Sequence, residues 1–305
     1  MRVVETLAEA RARQSGQGRV GLVPTMGFFH EGHLSLVEQS RAECDLTVVT
    51  IYVNPLQFED PSDLARYPAN HRRDLDLAEE LGVDLVVAPT PDEMFARPPL
   101  TKVSVAGLED RLEGEYRPGH ISGVATVVVK LLAALRPDRA YFGRKDAQQL
   151  VMVERVVQDL SLPVRVVGCR LVRENQGLAL SSRNVLLQEQ RAAALSLSRG
   201  LMSAADKFDQ GERRAAVLEA EVRREVAGEA LEYVRLCEAS TLTPVNSLDG
   251  EGYLPAAARF GSVRIIDNIY LESSEPGAVA DRGLRLDHPS LLYSDSEIGS
   301  HVPSS

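Results

Sequence analysis

Short apolar runs alternate with amphipathic segments through the first half of the chain. Residues 20–23, 46–53, 85–88, 138–142 and 164–167 are runs rich in Val, Ile, Leu and aromatic side chains. Such runs, without polar alternation, suit strands buried on both faces of a parallel sheet. Between them, 33–41, 74–81 and 147–160 carry apolar positions at helical spacing, with Leu150, Val153 and Val157 in the last. The long apolar segment 121–135 exceeds strand length and predicts a buried helix, although Val127, Val128 and Val129 are poor helix formers. Residues 1–13 predict an opening helix, 101–105 a short strand, and 107–116 a partly helical stretch. This βαβα order predicts an α/β fold: a Rossmann-like parallel sheet with helices on both faces.

Beyond Arg173 the pattern changes. Residues 188–208 and 212–227 predict Ala-rich helices, while 230–238, 253–260 and 263–268 predict a small sheet. The expected organisation is a Rossmann-like domain over 1–173 and a smaller α+β C-terminal domain over 174–272, which would serve as a lid. Residues 273–305, dominated by Ser, Pro, Gly and acidic side chains, are expected to be a flexible tail.

Composition narrows the class. The chain has 305 residues, 44% of them hydrophobic, enough for a sizeable core. No run approaches the roughly 18 to 20 apolar residues of a membrane span. The N-terminus is rich in Arg and Glu rather than shaped like a signal peptide, so a soluble cytoplasmic protein without a membrane partner is expected. The three cysteines, Cys44, Cys169 and Cys237, are far apart and form no CxxC pair, which fits neither a disulfide framework nor a cysteine-based metal site. With 34 basic against 44 acidic residues and a net charge of −10, a general nucleic-acid surface is disfavoured. A small anion would need positive groups gathered in one cleft.

Such groups occur at predicted strand ends. After the run at 20–23 the sequence reads PTMGFFHEGH over 24–33. This is a strand, a glycine-bearing turn with His30, Gly32 and His33, and a helix start. Unpaired backbone N–H groups and the positive end of the helix dipole favour phosphate there, and Gly32 leaves room for a ligand beside the backbone. The alternative is a turn with two solvated histidines. Zinc is less suited, because HxxH supplies two ligands where a catalytic site needs three. A second strand end repeats the arrangement: Gly143 in the turn, Lys145 reaching out as a point charge, Asp146 as a helix cap, and Gln149 one turn further. The run LSSR over 180–183 offers two hydroxyls and a guanidinium, or else a capping turn. Asn54 and Gln57 follow a buried strand, in a loop that also holds Tyr67. They suit a small polar substrate or plain loop solvation.

Taken in order, PTMG at 24–27, HEGH at 30–33, VNPLQF at 53–58, ARYP at 65–68, RPGH at 117–120, GRKDAQQ at 143–149, GLALSSRN at 177–184 and IDN at 266–268 closely resemble the pantothenate synthetase (pantoate–β-alanine ligase) family. HxGH alone points only to the wider nucleotidyltransferase-like group. The resemblance implies ATP-dependent condensation of (R)-pantoate with β-alanine, with Mg²⁺, through a pantoyl adenylate, and a homodimer. It implies an ATP site of Met26, Gly27, Phe28, Phe29, His30, Glu31, Gly32 and His33, with Gly143, Arg144, Lys145 and Asp146. Val172, Leu180, Ser181, Ser182 and Arg183 would complete that site. His33 is the candidate acid. His30, Lys145 and Arg183 are expected to join it in neutralising charge that grows on the pyrophosphate leaving group. Gln57 and Gln149 are expected to contact pantoate, Gln57 also bordering β-alanine, with Asn54, Tyr67 and Arg117 as neighbours. Arg144 departs from the uncharged or acidic residue usual in the family. No residue is assigned to the metal.

Two other classes remain open at this level. A nucleotidyltransferase moving AMP or CMP to a phosphate acceptor would use the same histidines, although Gln57 and Gln149 are odd choices for a phosphorylated acceptor. A non-catalytic nucleotide-binding module would use the same strand-end glycines.

Overall fold

The computed structural model describes residues 1–58, 60–226, 231–274 and 277–293. The first half runs β1 (Arg2–Val4), α1 (Leu7–Gln14), β2 (Val20–Thr25), α2 (Glu31–Glu43), β3 (Leu46–Ile51), α3 (Pro61–Ala65) and α4 (His71–Glu80). It continues through β4 (Leu85–Val87), α5 (Pro91–Phe95), α6 (Glu113–Tyr116), α7 (His120–Leu135), β5 (Arg139–Gly143), α8 (Ala147–Asp159) and β6 (Arg165–Cys169). Its six strands form one parallel sheet in the spatial order β1-β4-β3-β2-β5-β6. The uninterrupted apolar runs are explained by cover on both faces. Leu7, Leu132 and Val153 belong to the core on one side, and Leu36, Val37 and Ala78 to that on the other. The predicted helix at 121–135 is α7, in which Val124, Val127 and Val128 are buried in the core and Val129 is partly buried against it, so packing outweighs their weak helix propensity.

The second half contains β7 (Val172–Arg173), α9 (Arg191–Asp209), α10 (Ala215–Glu225), β8 (Leu231–Val234), β9 (Cys237–Glu238), β10 (Glu251–Phe260), β11 (Val263–Ser274), β12 (Gly277–Asp281) and β13 (Leu284–Arg285). An antiparallel sheet ordered β12-β11-β10-β8, with β9 also on β10, packs under α9 and α10 around Leu197, Leu201, Phe208 and Ile269. A buried ion pair ties β7 to this sheet: Arg173 donates to both Asp267 carboxylate oxygens at 2.7 and 2.9 Å, and Ser198 adds a third donor. The expected α/β fold with a C-terminal α+β unit is therefore present.

Three local expectations differ. Arg2–Val4 was expected to open a helix; it pairs in parallel with β4, and helix begins only after Thr6, whose hydroxyl accepts from Glu9 N. Residues 101–105 form no strand; Val103 N donates to the Thr126 hydroxyl instead. The expected flexible tail is, in its described part, paired structure: β12 on β11, β13 parallel to β7, and a short 3₁₀ turn at Leu291–Tyr293. Backbone pairing at two sheet edges holds this polar segment, and composition does not report that. Residues 294–305 of the expected tail, and Ala227 and Ala230 at the expected element ends, lie outside the described residues. Among the described residues no helix is long and apolar enough to cross a membrane.

Candidate active site

The strand order reverses at β2 and β5: the chain winds outward through β3 and β4 on one side and through β6 on the other. Ligands of open α/β sheets bind beyond the carboxyl ends of the strands at such a reversal. A cleft of about 730 Å³ opens there, walled on its far side by the antiparallel sheet at 262–268. That volume suits a small-molecule site.

The turn after β2 is held from behind. The Asp74 carboxylate, on α4 and 1% exposed, accepts the backbone N–H groups of Phe28 and Phe29, each at 2.7 Å. Gly27 and Phe28 take left-handed φ angles of 82° and 53°, a strained conformation for Phe28 that these bonds maintain. His30 caps α2: its Nδ1 accepts from Gly32 N at 3.1 Å, so Nε2 carries the proton. The His30 and His33 rings lie 4.1 Å apart, and both line the cleft. A side chain at position 32 would put its Cβ 2.9 Å from the His30 ring, so glycine is needed here to admit the histidine as well as to open the backbone.

The turn after β5 is held from the other domain. Asn268, on β11, donates to the carbonyls of Arg144 and Lys145 at 2.9 and 2.8 Å. Lys145 lines the cleft and lies 3.3 Å from Asp146. Asp146 occupies the N-cap position of α8 without the capping side-chain bond expected of it. Arg144 turns away, stacking 4.5 Å from the Tyr270 ring centroid and 3.7 Å from Asp281. From the loop at 180–183, Ser182 donates to the Phe28 carbonyl at 3.2 Å and Ser181 accepts from Arg183 N. Arg183 reaches across to Asp63 at 3.1 Å and lies over the Tyr67 and Phe58 rings.

The floor between them is polar. Asn54, 3% exposed, bonds Gln57 Oε1 and the Gly123 carbonyl, and accepts from Leu56 N. Gln57 Nε2 lies 3.0 Å from Met26 Sδ, bringing this loop against the first turn. Arg117 donates to His120 Nε2 and to the Gln57 carbonyl, while His120 Nδ1 donates to that same carbonyl at 2.9 Å. Gln149 lines the same cleft from α8.

Burial controls the charges. It drives the His30 imidazole well below its ordinary range, with His33, Lys145 and Arg73 adding to the effect. It lowers His33 to about 4, opposed by Asp146 and aided by Lys145. Burial and the Arg117 charge bring His120 to about 4. The histidines were expected to neutralise phosphate charge; burial disfavours their charged forms before any ligand is bound, and His33 Nδ1 is buried without a hydrogen-bond partner among the described residues. Lys145, Arg183 and Arg117 supply the positive charge among these candidates. Glu113, on α6, is a buried carboxylate of the cleft that faces the antiparallel sheet through Arg264. Burial alone would raise it, but two Arg264 hydrogen bonds at 2.6 and 2.7 Å, with that residue's charge and Tyr233, hold it low.

Of the expected residues, Met26, His30, Gly32, His33, Asn54, Gln57, Tyr67, Arg117, Gly143, Lys145, Asp146, Gln149, Val172, Leu180, Ser181, Ser182 and Arg183 line the cleft together. Gly27, Phe28, Phe29, Glu31 and Arg144 do not. Phe28 and Phe29 are buried in apolar clusters, and Glu31 faces Ser290 and Leu291. Asp74, Glu113 and Arg264 were not anticipated; they act across 45 to 151 residues of sequence, and local pattern carries no mark of them. Gln148, whose Oε1 accepts from Glu113 N at 2.9 Å, lay within the GRKDAQQ motif without an assigned part. Asn268 lay within the IDN motif without an assigned part.

A parallel sheet with two glycine turns, an HxGH pair and a lysine at its reversal point defines a nucleotide-binding α/β protein of the HxGH class. Within that class the chain belongs to the pantoate-beta-alanine ligase family, whose model matches residues 1–270. It is 49% identical over 280 residues to a pantothenate synthetase of Cereibacter sphaeroides, covering 88% of this chain and 98% of that one. It is likewise 49% identical over 273 residues to that of Chloroflexus aggregans, at 88% and 99% coverage. The crystal structure of the Thermus thermophilus pantothenate synthetase superposes with a TM-score of 0.83 at 45% identity, covering 88% of this chain and 98% of that chain. A Francisella tularensis pantoate-beta-alanine ligase, described as complexed with beta-gamma ATP and beta-alanine, gives 0.68 at 29% identity over 88% and 97%.

Proposed function

We propose that this chain joins (R)-pantoate to β-alanine using ATP, through a pantoyl adenylate, with the cleft at the sheet reversal as the only chemical site required. The observation that carries the reading is the convergence of His30, His33 and Lys145, from two strand-end turns, on a floor bearing Gln57 and Gln149. The first three suit phosphate oxygens, and the two amides suit a hydroxylated carboxylate.

In the first step a pantoate carboxylate oxygen bonds to the α-phosphorus, and the bond from that phosphorus to the bridging oxygen breaks, releasing pyrophosphate. Both reactants are anions, so the step needs fixed positive charge and donors aimed at the leaving group. Lys145 supplies charge, His30 Nε2–H and the His33 ring supply neutral polar contacts, and Arg183 stands at the domain junction. In the second step the neutral amine of β-alanine attacks the acyl carbonyl, the carbon–oxygen bond to AMP breaks, and the amine loses a proton. No protein nucleophile is needed, and the wall of the antiparallel domain keeps water from the adenylate.

Mg²⁺ accompanies ATP in this reading, but the described residues build no cage for it. Among the described residues no three His, Cys, Asp or Glu side chains converge. The ion would be carried by nucleotide phosphates, with Asp146 the nearest available carboxylate to Lys145. A cytoplasmic homodimer using only small-molecule substrates completes the proposal, as the family resemblance implies, and the three free cysteines accord with a reducing compartment. The test is pyrophosphate release. It is expected with ATP and pantoate alone, as a burst limited by enzyme, and becomes continuous when β-alanine is added. Release that ignores pantoate would overturn the reading.

A further inference from the structure

The family match ends at residue 270, and the relatives align over 98 to 99% of their own length but only 88% of this chain. The segment beyond the match does not hang free of the site. After β12, Arg282 O accepts from Arg173 Nε at 2.6 Å, and Leu284 N and Leu286 N donate to the carbonyls of Leu171 and Arg173 at 2.7 and 2.9 Å. The chain therefore runs along β7, the strand that brings Val172 to the cleft. Gly283 permits this approach: its φ is 83°, and a Cβ there would lie 2.5 Å from the Leu171 carbonyl oxygen.

The segment then docks on the back of the first turn. Glu31, the unspecified position of HxGH, accepts from the Ser290 hydroxyl at 2.7 Å and from Leu291 N at 2.8 Å. Arg73 donates to Phe29 O at 2.8 Å and to Leu291 O at 2.9 Å, bridging the turn to the segment. Leu292, 5% exposed, packs in one apolar cluster with Phe28, Val172 and Leu180, each belonging to a different part of the expected nucleotide site. Tyr293 OH donates to Glu174 at 2.9 Å, and the same carboxylate accepts from Asn184, just after the loop at 180–183.

We propose that residues 284–293 are a brace that fixes the nucleotide-binding turn from outside the cleft, with Glu31 and Arg73 as positioning residues that transmit it. Residues 284–293, Glu31 and Arg73 do not line the cleft, whereas Leu171, Val172 and Leu180, which the segment touches, do. Their effect is on the geometry in which the His30 and His33 rings and the Gly32 amide meet the nucleotide. Phe28 is strained and joins the Leu292 cluster directly, so a turn without the brace has a more relaxed conformation available to it.

The inference rests on reading this cleft as the ATP site, and its test separates the two. Leu292→Ala removes the apolar seat, and Gly283→Ala dislodges the segment from β7 at a position remote from the turn. In each full-length variant, KM for ATP is expected to rise about tenfold, while kcat and KM for β-alanine stay within about twofold. Amide hydrogen exchange over residues 28–33 is expected to quicken by about tenfold without loss of the thermal transition. Leu292→Met, which keeps the volume, should restore both values. Unchanged KM for ATP and unchanged exchange in both variants would overturn the brace, as would a fall in all kinetic parameters together. If the unmodified chain shows no pantoate-dependent turnover, the ligase reading fails, and the exchange rates alone still decide the brace.

Discussion

The turns after β2 and β5 stand at neighbouring strand ends and face one cleft, yet they are held by different parts of the chain. The first is clamped within its own domain, by Asp74 on two backbone amides, and carries a strained Phe28. The second is clamped from the antiparallel domain, by Asn268 on two backbone carbonyls, with Arg144 stacked on Tyr270. The main clamp on the histidine-bearing turn therefore comes from the parallel-sheet domain, with the segment at 284–293 bearing on its outer side, whereas the clamp on the Lys145 turn comes from the second domain. Two motifs that look alike in sequence differ in what sets their geometry. In the proposed adenylation step the distance between imidazoles and ammonium matters, and the Asn268 clamp ties that distance to how the domains dock.

This contrast can be broken at four points, in falling order of expected effect. Lys145→Ala removes the charge that the second turn delivers. It should lower kcat for pantoate-dependent pyrophosphate release by about 10² to 10³-fold, with an unchanged melting transition. Asp74→Ala leaves two buried amides of the first turn without an acceptor. It should cost about 2 to 4 kcal/mol in urea unfolding and raise KM for ATP, since the damage falls on folding as much as on chemistry. Asn268→Ala should instead act mainly on turnover, lowering kcat about tenfold with KM for ATP little changed, because the second turn loses position and the first does not. A stability loss matching that of Asp74→Ala, with kcat intact, would erase the distinction between the two clamps.

The mildest probe is pH. His33 and His120 are held at about 4 when folded, below the 6.5 of a free imidazole. Between those values the unfolded chain binds more protons than the folded one, so stability is complete above pH 6.5 and declines as pH falls toward 4. Each histidine contributes a slope of up to about 1.4 kcal/mol per pH unit. His33→Asn should reduce the summed slope by one such contribution, measured by urea midpoints across that range. A slope unaffected by the substitution would mean the His33 ring is not held neutral by burial.

The sheet and its two turns were legible in the sequence because apolar runs, glycines and helix starts are local signals. Positions such as His30, His33, Lys145 and Gln57 then followed from where strands end. The supports were not legible. Asp74 looked like any acidic residue in an amphipathic helix, and its partners lie 45 and 46 residues away. The residues at 277–293 read as tail because their composition cannot build a core, yet edge pairing to β11 and β7 needs no core of its own. The burial of the histidines was not legible for a related reason: HxGH shows two basic side chains, and only the depth of the cleft shows that burial lowers both.

The central claim is that pantoate's carboxylate oxygen becomes bonded to the α-phosphorus in this cleft. Its most direct test is turnover with pantoate labelled with heavy oxygen in the carboxylate, followed by mass analysis of both products. The account predicts that each AMP carries a single labelled oxygen and that the pantothenate amide retains the other. AMP free of label, with pyrophosphate still released, would contradict it.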